Sequence, residues 1–310
     1  MIDFKYHLIS IVAIFFALAA GIALGSGPLQ AQLSERLVEQ SDSDRLGEQQ
    51  ARDQLDSANA RLDFADAFAG TTSQAVVGSA LDGRTVSLVV LPGADPGAVR
   101  AMRDEVAAAD GLVVSTVTLT EELLDPANRQ LAEGLAQRIL DGRGSDSADG
   151  AVSYQLLGAA LSRSFLTGKD GATERDNTAN GIEAALDEAG LIVVDGVATR
   201  RAQLALVVAG DPVDDAPDGQ ADVAAEIVSA LDSGSAGAVV AGPAASADGG
   251  VVAAVRETEA AEGVSSVDAL DLAAGRVVTV LALAEQARGG VGQYGMSDAA
   301  GAAAPTPTRQ

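Results

Sequence analysis

The sequence predicts an α/β protein in three parts: a single N-terminal transmembrane helix, a coiled-coil-like helical stalk, and a Rossmann-like, doubly wound domain with a mostly parallel sheet. Three observations predict it. Residues 8–29 carry no charge, a coiled-coil spacing of apolar residues follows them, and short apolar runs then alternate with helical patterns. The predicted boundaries are residues 1–7, 8–29, 30–70, 76–295 and 296–310.

The run from Leu8 to Leu29 predicts a helix that crosses a bilayer, because a hydrocarbon core of about 30 Å needs roughly 20 apolar residues. Lys5 and the terminal amine give residues 1–7 the positive excess of a cytoplasmic flank. We therefore expect a single-pass protein of the cell membrane with most of its chain in the cell envelope. The alternative is a signal peptide cleaved near residues 23–25, but the apolar run exceeds the usual 7–15 residues or so.

Small residues recur every four positions within this run, which places them on one face of a helix where a second helix could approach closely. They are Ala13, Ala17, Gly21 and Gly25. The pattern predicts a helix–helix interface in the membrane. The alternative is that it only reflects a composition rich in small residues.

The segment from residue 30 to residue 70 is polar, lacks proline and predicts a long helix. Its second half carries apolar residues at alternating spacings of four and three, which is the seam of a coiled coil. The seam consists of Ala51, Leu55, Ala58, Leu62 and Ala65. It predicts a homo- or hetero-oligomer formed through anchor and stalk. The alternative is one amphipathic helix packed against the domain. We expect residues 70–73, Gly-Thr-Thr-Ser, to end the helix.

Six short segments in the remaining chain, most of them rich in apolar and β-branched residues, predict the strands of a mostly parallel sheet. They are Thr85–Leu91, Leu112–Leu119, Leu191–Val194, Leu204–Val208, Ala238–Ala241 and Val264–Val267. Between the first two, Asp95 and Pro96 predict the N-cap and first position of a helix. That strand–helix–strand unit crosses right-handed into a parallel sheet. Residues 296–310 lack apolar periodicity and predict a disordered tail.

Charge and composition exclude several classes of function. With 44 acidic and 20 basic residues, the net charge of −24 disfavours nucleic-acid binding. The chain has no cysteine, and its one histidine, His7, adjoins the membrane run, so a Ser-His-Asp triad cannot form in the outer domain. Phosphate-binding glycine motifs are also missing from the sequence. We expect neither an enzyme nor a bound cofactor.

Three predicted strands end in glycine followed by a loop, at Gly93, Gly210 and Gly242. Ligands of open α/β sheets bind beyond the carboxyl ends of the strands. Asp95 and Asp211 are therefore candidate ligands of a cation at this edge. The alternative is that they serve only as helix-cap and turn residues.

Both ends of the chain carry family-like motifs. The first covers Tyr6 to Leu8 and Ala17 to Gly27, and the second covers Asp271 to Arg276, Leu281 to Leu283 and Gly289 to Gly295. With these motifs the chain resembles the actinobacterial copper transport protein B (MctB) family over nearly its whole length. The resemblance implies an envelope protein with a role in copper efflux or homeostasis. It also implies a possible partner, because related members are tied to a second membrane protein that controls a peptidoglycan hydrolase in cell division.

The residues themselves offer no copper-ligand cluster. Copper(I) prefers thiolate and thioether ligands, and the only methionines are Met1, Met102 and Met296, of which we expect Met102 to fill the core. Copper is thus a partner by resemblance alone. The short apolar strands also do not match a transmembrane barrel, whose strands alternate over roughly 10 residues. The alternative function is a scaffold or adaptor whose coiled coil and α/β domain bind a partner membrane protein. A third hypothesis is a small-ligand or sugar-polymer site in the strand-end loops.

Overall fold

The computed structural model describes residues 4–25, 29–130, 134, 136–137, 153–213 and 216–306. The chain divides into two compact units, Met1–Phe64 and Ala65–Gln310. Parts of four predicted segments lie outside the described residues. These are residues 1–3 of the cytoplasmic end, 26–28 of the anchor, 131–133, 135, 138–152 and 214–215 of the α/β domain, and 307–310 of the tail.

The first unit consists of helix α1, Phe4–Gly25, and the beginning of helix α2, Leu29–Val77. Residues Lys5–Ala23 of α1 are long and apolar enough to cross a membrane, and none of this window is buried within the protein. This is the one such helix among the described residues. A signal sequence passes the same test of length and composition, so the retained anchor and its orientation stay predictions.

Helix α2 continues through residues 70–73, so the prediction that this segment breaks the helix is wrong. The hydroxyls of Thr71 and Thr72 donate hydrogen bonds to the carbonyls four residues earlier, each at 2.8 Å, which lets both residues remain helical. Val77 and Leu81 are fully buried in the core of the second unit. Burial of this end stabilises the helix and explains why it continues past residues 70–73, whose sequence does not favour a helix.

The second unit is an α/β domain with a seven-stranded sheet in the order β3-β2-β1-β4-β5-β6-β7. Neighbouring strands are parallel, except that β3 pairs antiparallel with β2. The strands are β1 Thr85–Val90, β2 Leu112–Leu119, β3 Ile192–Val194, β4 Leu204–Val208, β5 Ala238–Ala241, β6 Ser265–Val267 and β7 Gln293–Tyr294. The six predicted strands are confirmed. Strand β7 has two residues, too few to give a recognisable strand pattern in the sequence, and it was not predicted.

Helices cover both faces of this sheet. The helices are α3 Pro96–Ala108, α4 Glu121–Leu124, α5 Ser153–Phe165, α6 Asn177–Glu188, α7 Gln220–Ser233, α8 Val251–Glu257 and α9 Ala273–Gln286. Side chains of a strand alternate between the two faces, so each strand serves two cores. Ala205 and Val207 of β4 pack with helices α5 to α8, whereas Leu204, Leu206 and Val208 pack with α3 and α9.

A glycine allows two of these helices to come unusually close. A methyl group on Gly158 of α5 would lie 2.5 Å from the Cβ of Ala230 in α7 and 3.0 Å from the carbonyl oxygen of Ile227. Because the second contact is with backbone, no side-chain movement could relieve it. The close approach fixes the spacing of α5 and α7 and hence the shape of the cavity between them.

The predicted disordered tail is ordered as far as the structure describes it, so that prediction is wrong for residues 296–306. The backbone amide of Gly301 donates to the carbonyl of Gln293 at 2.8 Å, and that of Gly295 donates to Ala302 at 3.0 Å. Pro305 is buried. The segment is held by contacts distant in sequence, which its weak local pattern does not reveal.

Candidate functional site

The two strands on either side of the change in winding direction, β1 and β4, lie side by side, and Val90 pairs with Val208 at their ends. The loops that follow them touch. A Cβ on Gly210 would lie 2.1 Å from the carbonyl oxygen of Gly93, which itself has φ +79°. Only glycine at position 210 allows this approach. The sequence therefore builds a crevice at the switch point, where ligands of open α/β sheets bind.

The crevice contains a cavity of about 250 Å³, lined in part by Pro92, Leu124, Asp211, Asp218 and Gly250. A second cavity of about 240 Å³ shares Pro92 and Gln220 with it, so the two adjoin each other. Its wall carries Glu121, Glu122 and Asp125. The edge of the sheet is thus rich in carboxylates, which attract cations and repel phosphate groups.

These carboxylates do not form a metal centre. Among the residues that the structure describes, no three histidine, cysteine, aspartate or glutamate residues could hold a metal ion together. One carboxylate is engaged locally, because Oδ1 of Asp125 accepts a hydrogen bond from the amide of Ala127 at 2.8 Å. The described side chains of the crevice can gather cations loosely but offer no selective coordination geometry.

Asp95 and Asp211, the two predicted strand-end ligands, have different positions. Oδ2 of Asp95 accepts a hydrogen bond from the amide of Ala98 at 2.9 Å and caps α3, with Pro96 in the first turn, as the sequence predicts. Asp211 lines the crevice. The structure brings only Asp211 to the cavity, and a ligand role for either residue stays a prediction.

The predicted interfaces on the two N-terminal helices are exposed. Ala13, Ala17 and Gly25 of α1 are exposed, and a Cβ on Gly21 or Gly25 would meet nothing within 4 Å. The seam residues Ala51, Leu55, Ala58, Leu62 and Ala65 of α2 are also exposed. Pairing of α1 and a coiled coil of α2 stay predictions.

The soft ligands for copper are dispersed. Met102 is fully buried between α3 and the sheet, which confirms its predicted role in the core. Met296 is 57% exposed in the loop after β7. His7 lies on α1, in the other unit. The described residues thus contain no pair of these ligands in one site.

A buried ion pair is the main feature that sequence reasoning missed. Nη1 of Arg256 lies 2.7 Å from Oδ2 of Asp268, and their side chains are 5% and 0% exposed. Arg256 also donates to the hydroxyl of Ser266 at 2.6 Å and to the carbonyl of Tyr294 at 2.7 Å. The pair joins α8, β6 and β7, so it fixes the C-terminal edge of the sheet.

The loop after β7 closes over the same carboxylate. The amide of Met296 and the hydroxyl of Ser297 donate to Asp268, each at 2.5 Å. Gly295, with φ +135°, passes so close that a Cβ would lie 1.8 Å from Oδ1 of Asp268. Gly295 is the last residue of the glycine-rich motif at residues 289–295, and this motif is the sequence feature that could have indicated the close packing of the loop on Asp268. Its role is structural.

The fold and the site define the class of this protein. It is an α/β protein with one candidate membrane-spanning helix at its N-terminus and an acidic crevice at the switch point of its sheet. The family described as "Copper transport outer membrane protein, MctB" matches residues 1–305. The chain therefore belongs to the MctB family.

The curated relatives agree with this membership. The chain is similar to the copper transporter MctB of Mycobacterium tuberculosis strain H37Rv, with 30% identity over 308 residues that cover 95% of this chain and 96% of the relative. It is 28% identical to the copper transporter MctB of Mycobacterium leprae, over 97% of this chain and 98% of the relative. The similarity thus includes the apolar helix, α2 and the α/β domain.

Proposed function

We propose that this chain is a non-enzymatic cell-envelope protein that contributes to copper efflux or homeostasis. The observation that carries the proposal is the family match over residues 1–305 together with relatives named as copper transporters. In this proposal residues 8–29 hold the chain in the cell membrane, and the α/β domain lies outside the cytoplasm. The positive flank at Lys5 supports that orientation.

The donor chemistry supports an indirect role in copper handling rather than tight binding of the metal by this chain. The sequence has no cysteine, and its histidine and methionines are dispersed. The acidic crevice could raise the local concentration of cations, but oxygen ligands alone do not select copper. We therefore propose that the chain acts within an assembly whose other members move the ion.

The proposal of a non-enzymatic role is supported by the side chains at the crevice. Its wall carries carboxylates, prolines and glycines, and the outer domain has no histidine to act as a base near neutral pH. The serine, threonine and tyrosine hydroxyls of the domain therefore lack the usual partner that would activate them.

A second candidate function is an adaptor that binds a partner membrane protein, such as a regulator of peptidoglycan hydrolysis and cell division. The observation that favours it is the apolar seam of α2, on which Leu55 is 63% exposed and Leu62 58% exposed. Leucines at coiled-coil spacing are stabilised when a partner helix covers them. The two functions are compatible if the partner belongs to a copper-handling assembly.

One experiment separates the candidates. The gene would be deleted in the organism that carries it, and growth would be followed over graded copper, graded zinc and graded detergent. The copper role predicts greater sensitivity to copper, with raised cellular copper, and restoration by the full chain. The adaptor role predicts equal sensitivity to all three stresses and defects in division. Unchanged copper sensitivity in the deletion strain would contradict the first proposal.

A further inference from the structure

A cavity of about 610 Å³ lies between α5 and α7, in the helical layer on one face of the sheet. Its wall includes Arg163 of α5, Ser229 of α7, Thr167 in the loop after α5, and Arg201 just before β4. The volume falls within the range of about 300–1,000 Å³ that is typical of small-molecule sites. The cavity is separate from the strand-end crevice, with which it shares no lining residue.

The charge of this wall is opposite to that of the protein as a whole. It carries two arginines and no carboxylate among the described residues. Each of the four other cavities described for this fold carries at least two aspartate or glutamate residues. The chain as a whole, with 44 acidic and 20 basic residues, repels anions, but the two arginines in this wall make the cavity locally attractive to them.

One guanidinium at this cavity has no direct ion pair among the described residues. Arg163 pairs with Asp176 at 2.5 Å, and the nearby Arg175 pairs with Glu183. Arg201 makes no ion pair within the described part of the chain. Burial lowers the pKa of the Arg201 guanidinium, the charges of Arg163 and Arg175 lower it further, and the charge of Asp176 offsets part of this effect. Asp176 is bound directly by Arg163, so Arg201 has only its longer-range attraction.

The hydrogen bonds of the two lining arginines are also incomplete. Nη2 of Arg201 donates to the carbonyl of Ala172 at 2.7 Å, which holds the side chain in place. Its Nε is buried and has no hydrogen-bond partner among the described residues, and the same is true of Nη1 of Arg163. Buried donors without partners destabilise a fold, and a bound oxyanion would satisfy them.

Thr167 provides an independent observation. Its side chain lines the cavity and is 6% exposed, and its hydroxyl makes no hydrogen bond within the described part of the chain. Its backbone amide donates to the carbonyl of Ala202 at 2.8 Å, which places the residue next to Arg201. A hydroxyl at a cavity wall that makes no hydrogen bond within the fold can donate to a ligand in place of water.

We propose that this cavity binds a small organic oxyanion, a phosphate or carboxylate group contacted by Arg201, Arg163 and the hydroxyl of Thr167. Guanidinium groups recognise both oxyanions through paired N–H donors in a plane. The cavity is larger than either group, so the ligand carries an organic body as well. The site does not depend on the proposed role in copper handling.

The test measures anion binding by the full-length protein in detergent. Isothermal titration calorimetry would use inorganic phosphate, glycerol phosphate and succinate, each against sodium chloride at matched ionic strength. The three probes separate a bare phosphate, a phosphate ester and a dicarboxylate. We expect at least one of them to bind the wild-type protein and to raise its melting temperature.

Three variants locate the binding. Arg201→Gln removes the charge that has no direct ion pair and should weaken binding by about tenfold or more, because a charge-assisted hydrogen bond contributes about 1.5–3 kcal/mol. Thr167→Val keeps the shape of the side chain and should weaken binding by several-fold without unfolding the protein. Arg200→Gln is the matched control, since Arg200 is exposed and does not line the cavity. It should bind like the wild type.

The outcomes are distinct. Binding that Arg201→Gln and Thr167→Val weaken and Arg200→Gln preserves supports the site, and the tightest probe assigns the oxyanion. Binding equal in all variants, or no response beyond that of chloride for any probe, overturns the proposal. Thermal melting of each variant without anion distinguishes a lost site from a lost fold.

Discussion

Arg256 and Asp268 form an ion pair of 2.7 Å in which both side chains are almost completely removed from water. Breaking such a pair leaves an uncompensated buried charge, which costs about 3–5 kcal/mol. Arg256→Met should therefore destabilise the protein by about that amount, measured by thermal or denaturant unfolding of the full chain in detergent. The control is Asp195→Asn, which breaks the exposed pair with Arg103 at 3.2 Å and should cost less than about 1 kcal/mol. Equal losses of stability in the two variants would contradict the larger contribution that we expect from the buried pair.

The same carboxylate makes stability depend on pH. Burial alone would raise the pKa of Asp268, but hydrogen bonds from Ser297, Arg256 and the Met296 amide outweigh it, so the pKa is lowered. A carboxyl group with a lowered folded-state pKa stabilises the fold above its unfolded pKa near 4, and this contribution is lost as pH falls through the folded value. The difference in melting temperature between wild type and Asp268→Asn should therefore be largest near pH 6 and shrink towards pH 2. A difference that is constant over this range would be evidence against the linkage.

Gly295 and Gly289 provide a matched test of the C-terminal loop. Both have positive φ, +135° and +84°, so alanine is strained at either position. At Gly289 a Cβ meets nothing within 4 Å, whereas at Gly295 it would lie 1.8 Å from Oδ1 of Asp268. Gly295→Ala should cost about 1–3 kcal/mol more than Gly289→Ala, because it also displaces the carboxylate. Unfolding midpoints of the two variants measure this difference, and equal midpoints would show that the loop can move aside.

The seam of α2 predicts self-association or association with a partner. Replacing Leu55 and Leu62 with asparagine should weaken it, since both side chains are exposed at coiled-coil spacing. Crosslinking in membranes and sedimentation in detergent would measure the oligomeric state. The control variant, Asp56→Asn with Asp63→Asn, changes the same helix outside the seam and should leave assembly intact. If the leucine variant assembles like the control, the coiled coil is wrong.

Copper content tests whether the metal is a direct ligand. Because the soft ligands are dispersed and no three described carboxylate or histidine residues could share an ion, untagged protein should retain well under one copper per chain after dialysis. Mass spectrometry of the metals in the purified protein would measure this value. Stoichiometric copper after dialysis would instead require a direct site, formed with a second chain or a partner.

Most elements of the fold could be predicted from the sequence because the patterns that specify them are local. Most of the six longer strands are rich in apolar and β-branched residues, and Asp95 with Pro96 specifies the start of α3. The predictions are wrong for residues 70–73 and 296–306, where contacts between distant segments override the local pattern. The amide of Ala273 donates to Asp66 at 2.5 Å and secures the end of α2, and no local rule predicts that bond.

The sequence by itself determined the apolar N-terminal helix, the alternation of strands and helices, the acidic charge and the family, since each depends on composition or short-range order. Only the tertiary structure decided which side chains meet. It placed Asp211 in the crevice and Asp95 on a helix end, buried Arg256 against Asp268, and brought Arg163, Thr167 and Arg201 to one cavity. Arg163 and Arg201 are far apart along the chain, and their meeting depends on the order of the strands and the close packing of α5 on α7.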